Sequence, residues 1–141
     1  MELRRIDGLS WVRERAGQFF STGRTDAIVL LSYIMTDVVE LGRGECRILG
    51  KDGWWLVSSD VDWLQHPSLS ISELFTNVVP APAHGLHSLR AEVLLNAFAT
   101  DVFIRNLDSE TVIKGEPPNL GVVDAVAEWA QCRRTLAFRV V

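Results

Sequence analysis

The strongest hydrophobic pattern in the chain lies in residues 27–41 and predicts a buried helix. Thr25 and Asp26 precede it as candidate N-caps and Gly42 follows it, which is the usual order of helix start and stop signals. Apolar side chains occupy most of the helical circumference, which is typical of a helix that packs against neighbours on several sides. We therefore expect it to be the central helix of the fold. Its expected buried side chains include Leu30, Leu31 and Ile34.

Polar residues interrupt this helix and give it one hydrophilic stripe. Asp37 and Glu40 break the apolar run, which is also shorter than the roughly 20 residues that a membrane span needs. A membrane partner is therefore not expected. Ser32, Thr36 and Glu40 lie four residues apart and share one side of the helix.

Shorter elements surround the central helix. Helical spacing over residues 6–15, with Asp7 as the cap and Gly17 as the break, predicts a first helix. Further helices are predicted over residues 71–79, 86–99 and 121–132, and strands over residues 46–49, 54–58, 102–105, 111–113 and 135–141. The turn residues Asp52-Gly53 and Asp108-Ser109 join the first four strands into two hairpins.

The order of these elements predicts an α+β fold. Because hairpins outnumber crossovers, the sheet should be mixed or mostly antiparallel, with the helices on one face, as in a two-layer sandwich. The chain shows no repeat or linker, so residues 1–141 are expected to form a single domain without a second one. Trp54 and Trp55 are adjacent on one strand and face opposite sides of the sheet. One should be in the core, and the other is a candidate interface anchor on the face without helices.

Composition and charge narrow the classes of function. Apolar residues at 48% and charged residues at 23% indicate a soluble globular chain, and the net charge of −4 argues against direct nucleic-acid binding. The two cysteines, Cys46 and Cys132, make no disulfide scaffold or zinc motif and suit a reducing cytosol. No signal-peptide pattern opens the sequence, so a cytoplasmic location is expected. The three histidines lack the spacing of metal ligands, and no metal site is expected.

Several segments resemble, in chain order, the motifs of one protein family. They are residues 8–19 (GLSWVRERAGQF), 44–46 (GEC), 51–53 (KDG), 58–60 (SSD), 72–76 (SELFT), 85–88 (GLHS), 96–97 (NA) and the strand from Thr135. Together they resemble the ATPase domain of bacterial type II topoisomerase B subunits, namely the DNA gyrase B subunit and its topoisomerase IV counterpart. The resemblance implies a Bergerat-type, gyrase B/histidine-kinase-like ATP-binding fold, with Thr135 in the strand that lines the nucleotide pocket.

Two catalytic positions of that family are different in this chain. The long helix of the family carries a glutamate that activates water and, four residues later, an asparagine that holds Mg²⁺. The resemblance places these positions at Ser32 and Thr36. A hydroxyl group, whose pKa lies far above 7, cannot take a proton from water at neutral pH without another base. A one-residue slip in the alignment would place Asp37 at the asparagine position instead.

The nucleotide-binding motifs are altered as well. The family's adenine motif, D-x-G-x-G, corresponds to residues 60–64 (DVDWL), where Asp60 is still able to accept a hydrogen bond from an adenine amino group. Both glycines of the motif are lost, and Trp63 is expected to fill the adenine space. The ATP lid shortens to residues 77–84. The glycines that cradle phosphate become Leu89 and Arg90, and Arg90 would offer only a cation in place of backbone amides.

These departures predict a degenerate, non-hydrolysing relative of the gyrase B ATPase domain that works as a binding or regulatory module, without a catalytic residue or a required cofactor. If ATP binds, the expected contacts are Ser32, Thr36, Asp37, Asp60, Arg90 and Thr135. Two alternatives stay open. One is an ATP-binding protein with weak activity supplied by Asp37, Asp60 and Arg90. The other is a structural protein that binds a partner or a second copy of itself through the open face of the sheet.

Overall fold

Helices and strands alternate along the chain in the computed structural model, which describes residues 7–80, 89–129 and 131–141. The helices in these ranges are α1 (Gly8–Arg13), α2 (Ala16–Phe19), α3 (Ala27–Asp37), α4 (Ile71–Thr76), α5 (Ala91–Phe98) and α6 (Leu120–Glu128). The strands are β1 (Cys46–Lys51), β2 (Trp54–Ser59), β3 (Asp101–Asn106), β4 (Glu110–Lys114) and β5 (Arg134–Arg139). A π-helical turn, Val38–Gly42, continues α3.

The strands form one open sheet in the order β1-β2-β5-β3-β4, and each pair of neighbours is antiparallel. The turn between β1 and β2 holds Asp52 at φ 52° and Gly53 at φ 83°, the left-handed geometry for which Asp-Gly was expected. The predicted hairpin around Asp108-Ser109 also forms, between β3 and β4. The expectation of a mostly antiparallel sheet with helices is thus confirmed.

The helices cover both faces of the sheet, which corrects the expectation that they lie on one face. On the first face, which we call the α3 face, Val57, Ile104 and Leu136 join the main core with residues of α1, α3 and α5. On the opposite α6 face, Trp54, Leu56, Phe103 and Ala137 pack with Val122, Ala125 and Val126. The cause is the run of consecutive apolar residues in the central strands, because successive side chains point to opposite faces and each face then needs a cover.

Helix α3 is the central buried helix that the pattern predicts. Leu30, Leu31 and Ile34 are all buried in the main core, and Asp26 caps the helix by accepting a hydrogen bond from the backbone N–H of Ile28. The sequence pattern predicts more burial on this helix than the structure shows, since the side chains of Ile28 and Val39 are more than half exposed.

The ends of several helices differ from the predicted ones. Helix α1 ends at Arg13, and Gly17 lies inside α2 instead of stopping a helix. Helix α4 ends at Thr76, and α5 begins at Ala91 because Leu89 is engaged in a β-bridge with Pro80. The predicted segment 85–88 and the end of the shortened lid lie outside the described residues.

The prediction that one tryptophan of β2 lies on a sheet face without helices is wrong. Trp54 is fully buried beneath α6, and Trp55 is half-buried against the main core. The α6 layer accounts for the difference, because it occupies the face that was expected to be open. No helix of the described ranges is both long enough and apolar enough to cross a membrane.

Candidate functional site

The hydroxyl groups on α3 are bonded to their own helix. Ser32 Oγ donates to the carbonyl oxygen of Val29 at 2.6 Å, and Thr36 Oγ1 donates to the carbonyl oxygen of Ser32 at 2.8 Å. Such back-bonding is the ordinary local option for serine and threonine inside a helix. Both residues are exposed, so the polar stripe predicted on this helix faces outward.

Asp37, at the end of α3, is fully buried and bound to the start of α5. Its Oδ2 accepts a hydrogen bond of 2.6 Å from the backbone N–H of Ala91. A carboxylate at this position satisfies one of the unpaired amides of the helix N-terminus and matches the positive end of the helix dipole. The contact fixes the relative position of two helices of the core.

Arg90 lies beside that contact and makes a buried ion pair with Glu92. The guanidinium donates to Glu92 through Nε at 3.1 Å and Nη2 at 2.5 Å. Two further N–H groups reach backbone carbonyls: Nη1 donates to Gln65 at 2.8 Å and Nη2 to Trp63 at 3.0 Å. Every nitrogen of the guanidinium is therefore engaged within the protein. Glu92 was not among the predicted residues, although an acid two positions from an arginine is a visible signal.

Asp60 closes the turn that follows β2. It is exposed, and its Oδ1 accepts a hydrogen bond of 2.8 Å from the backbone N–H of Glu45. The approach needs a glycine at position 44, where a Cβ atom would lie 2.5 Å from Asp60 Oδ1. The Asp60 carboxylate thus joins the turn after β2 to the segment that precedes β1.

Thr135 faces the opposite side of the sheet from the other predicted contacts. It is buried on the α6 face, where its hydroxyl lies 2.5 Å from Ser58 Oγ. Its cross-strand neighbour Arg105 confirms this orientation, because Arg105 Nη1 donates to the carbonyl oxygen of Val126 in α6 at 2.8 Å. The structure therefore brings Asp37 and Arg90 to the same helix junction. It places Ser32 and Thr36 on an exposed helix surface and Thr135 on the α6 face of the sheet.

Arg134, one residue earlier in β5, points to the α3 face because side chains alternate along a strand. Nε and Nη2 donate to the two carboxylate oxygens of Asp62, each at 2.9 Å. Arg134 lies within β5 and forms an ion pair with Asp62 of the loop that follows β2. The predicted strand starts one residue too late, at Thr135, and therefore leaves Arg134 outside β5.

Arg134 also lines a cavity of about 310 Å³ between α4 and the β3–β4 hairpin. A second cavity of about 370 Å³ lies near Gly8, Trp11 and Asn77. Neither of these two cavities, as lined by the described residues, includes any of the six predicted nucleotide contacts.

Among the described residues, two side chains have shifted pKa values. Burial raises the pKa of the Cys46 thiol above its ordinary value. Burial, reinforced by the nearby charge of Arg13 and opposed by Asp101, lowers the pKa of Lys114. Lys114 Nζ donates to the carbonyl oxygen of Asn96 at 2.7 Å and so anchors the last turn of α5 to β4.

Neither metal-binding groups among the described residues nor related proteins point to a further site. Among the described residues there is no group of three or more His, Cys, Asp or Glu side chains arranged to hold a metal ion. No protein-family model matches the chain, and no curated protein matches it. The likeness to the type II topoisomerase B subunits therefore stays a prediction from the sequence segments quoted above.

Proposed function

We propose that this protein is a non-hydrolysing binding or regulatory module built on a degenerate, gyrase B-like ATPase scaffold. The observation that carries the proposal is the state of Arg90, whose three nitrogens are all bonded to Glu92 or to backbone carbonyls. An arginine in this state has used four of its five N–H groups and has no free pair of donors for a phosphate. Breaking its pair with Glu92 to free one would leave a buried charge uncompensated, at a cost of about 3–5 kcal/mol.

The composition of α3 supports the absence of hydrolysis. Ser32 and Thr36 are neutral hydroxyls whose protons are donated to helix carbonyls. The carboxylate that lies next to them in sequence, Asp37, is buried and directed to the N–H of Ala91. Loss of a general base alone lowers an enzymatic rate by about 10²–10⁴-fold.

The arrangement around Trp63 supports the loss of the adenine pocket. The side chain is buried in the main core, and its backbone carbonyl accepts a hydrogen bond from Arg90. We take the family fold as part of the proposal. The helices of the α3 face suit its two-layer plan, and α6 is then an additional layer on the other face of the sheet.

Thermal unfolding with Mg²⁺-ATP tests the proposal. A ligand at 100 times its Kd stabilises a protein by about 2.7 kcal/mol, which is readily visible as a shift in Tm. We expect no shift with millimolar Mg²⁺-ATP and no phosphate release above buffer. The Ser32→Glu, Thr36→Asn double variant restores the family's side chains at two exposed positions and serves as the matched control, and it should also remain inactive.

Clear turnover by the natural protein would contradict the proposal, above all if Asp60→Asn abolished it. That substitution preserves an oxygen for the N–H of Glu45 while removing the charge. Turnover by the double variant alone would show that only the base had been lost and that a nucleotide pocket persists.

A second candidate function is self-association or binding of a protein partner. Helix α6 occupies the sheet face that was expected to be open, and its outer side carries Leu120, 82% exposed, with Val123 one turn later. Sedimentation velocity of the natural protein beside Leu120→Lys tests this candidate. A concentration-dependent dimer that the substitution abolishes would support it, and a monomer in both proteins would exclude self-association through α6.

A further inference from the structure

The cleft between α4 and the β3–β4 hairpin has the size and floor of a small-molecule site. Its volume is about 310 Å³, and Phe75 and Ile104 contribute a buried apolar floor. An apolar protein cavity of about 150 Å³ is enough to hold a benzene molecule. The cleft therefore has room for one aromatic ring or branched chain together with a polar substituent.

One wall of this cleft is built from two cross-strand partners, Arg134 of β5 and Asn106 of β3. The side chain of Arg134 is only 3% exposed, and Asp62 holds it through Nε and Nη2. Within the described part of the chain, Nη1 of Arg134 donates no hydrogen bond. The bidentate ion pair thus fixes the guanidinium rigidly and leaves one nitrogen with unused N–H groups.

Asn106 shows the same division between used and unused groups. Its Oδ1 accepts hydrogen bonds from the backbone N–H groups of Asp108 and Ser109, at 2.8 and 2.7 Å, and so shapes the hairpin turn. These two donors also determine which side-chain atom is the oxygen. Among the residues that the structure describes, the amide nitrogen Nδ2 has no acceptor. Arg134 and Asn106 therefore offer N–H donors on the same wall.

The charge of this wall decides which acceptor it favours. Asp62 already neutralises Arg134, so a second carboxylate entering the cleft would lose its hydration without a net opposite charge in return. A neutral oxygen acceptor loses much less on leaving water. The wall consequently suits a carbonyl or amide oxygen better than an anion.

We infer that this cleft binds a small uncharged molecule that carries a carbonyl or amide oxygen on an apolar ring or branched body. The oxygen accepts from Arg134 Nη1 and Asn106 Nδ2, and the apolar body lies over Phe75 and Ile104. The inference does not depend on the likeness to the gyrase B family, since none of the family's motif positions is used for the polar contacts.

The first test compares two probes of nearly equal shape on the natural protein, phenylacetamide and phenylacetate. In a ¹H–¹⁵N NMR titration we expect phenylacetamide to shift the amide signals of Ser72, Asn96 and Thr111 in a saturable way. Phenylacetate should bind at least about 10-fold more weakly, because its charge is not compensated. The signals of Val123, on the other side of the sheet, should not move.

The second test changes the wall with little change in shape. Asn106→Asp keeps an oxygen for the two turn amides but removes the Nδ2 donor, and the new carboxylate also competes for Arg134. We expect phenylacetamide to bind about 5- to 10-fold more weakly, as is usual for one lost hydrogen bond. Leu107→Ala, at an exposed position in the same hairpin, is the matched control and should bind as the natural protein does.

Three results would each overturn the inference: equal affinity for the two probes, unchanged binding to Asn106→Asp, or no binding of phenylacetamide at 10 mM. That concentration is about 100-fold above the Kd of a good ligand of this size. The probe comparison uses only the natural protein, so it stands even if a variant is poorly folded. Mg²⁺-ATP in the same titration separates this inference from the proposed function, because ATP binding would contradict only the latter.

Discussion

Two buried arginines, Arg90 and Arg134, illustrate how similar side chains can have opposite meanings for ligand binding. They are 5% and 3% exposed, and each forms an ion pair with a carboxylate. Arg90 uses every nitrogen, two of them on backbone carbonyls of the loop after β2. Within the described ranges, Arg134 uses only one edge of its guanidinium, and its other donors face a cavity without an acceptor. A buried arginine is a candidate ligand contact when some of its N–H donors lack an acceptor. Burial and charge alone do not make it one.

The residues next to the two arginines also differ in whether their polar groups are already bonded within the protein. Next to Arg90, the carboxylate of Asp37 is bound to the N–H of Ala91, so the junction of α3 and α5 is held together by internal contacts. Next to Arg134, the amide nitrogen of the cross-strand residue Asn106 also has no acceptor among the residues that the structure describes. The first region, which we call the joint, consists of the Arg90–Glu92 ion pair and the Asp37–Ala91 contact and holds the fold together. The second region is the wall of the cleft formed by Arg134 and Asn106, and its donors are able to bind a ligand.

The largest expected effect concerns the joint. Glu92→Ala removes the partner of a buried arginine, and we expect the free energy of unfolding to fall by about 3–5 kcal/mol in urea titrations followed by circular dichroism. Glu128→Ala, at an exposed position of α6, should change it by less than about 0.5 kcal/mol. A loss below about 1 kcal/mol in Glu92→Ala would mean that Arg90 finds other partners and that the joint is adaptable.

A smaller loss of stability, but a change in selectivity, is expected at the wall. Asp62 has a side chain that is 18% exposed, so Asp62→Asn should cost only about 1–3 kcal/mol. The variant leaves the charge of Arg134 without a counterion. Phenylacetate should then bind at least as tightly as phenylacetamide in the NMR titration, the reverse of the natural order. An unchanged preference for the neutral probe would separate Arg134 from ligand selection.

Asp37 caps α5 through the N–H of Ala91, and we expect that removing only its negative charge destabilises the protein modestly. Asp37→Asn preserves the oxygen that caps α5 but removes the negative charge at its N-terminus. We expect a loss of about 1 kcal/mol in the free energy of unfolding. Asp26→Asn, at the exposed cap of α3, gives a comparison in which asparagine and aspartate are nearly equivalent caps. Equal effects at the two positions would argue that burial of the Asp37 contact adds nothing.

The smallest effect concerns Cys46, in a Cys132→Ala background that leaves a single thiol. Burial raises the pKa of this thiol above its ordinary value of 9.0, so alkylation by iodoacetamide at pH 8 should be slower than that of a free thiol. Because the folded-state pKa is the higher one, the contribution of Cys46 to stability is complete below pH 9 and is lost as the pH rises through the folded-state pKa. A pH–rate midpoint below 9 would contradict this assignment.

The sequence pattern predicted the elements better than it predicted their layers. The apolar run of α3, the Asp-Gly turn and the antiparallel hairpins follow from local signals, and they are present in the structure. The position of α6 did not follow. The consecutive Leu136, Ala137 and Phe138 were a signal that β5 is buried on both faces, but they say nothing about which helix supplies the second cover.

The positions of the candidate site residues were harder to predict than the fold, for a reason visible in β5. A resemblance aligned Thr135 with a pocket-lining strand, yet the strand begins one residue earlier, and alternation places Thr135 behind the sheet and Arg134 on the α3 face. The partners of Arg90 were similarly hidden, since the carbonyls of Trp63 and Gln65 lie more than twenty residues away in sequence. Contacts of this range depend on tertiary structure, which no local pattern encodes.

The most direct test of the account is one ¹H–¹⁵N NMR experiment in which Mg²⁺-ATP and phenylacetamide are titrated separately into the natural protein. We predict that Mg²⁺-ATP leaves the amide signals of Glu45 and Ala91 in place, while phenylacetamide shifts those of Ser72 and Thr111 in a saturable way. Saturable shifts of Glu45 and Ala91 with Mg²⁺-ATP, together with no response of Ser72 and Thr111 to phenylacetamide, would contradict it.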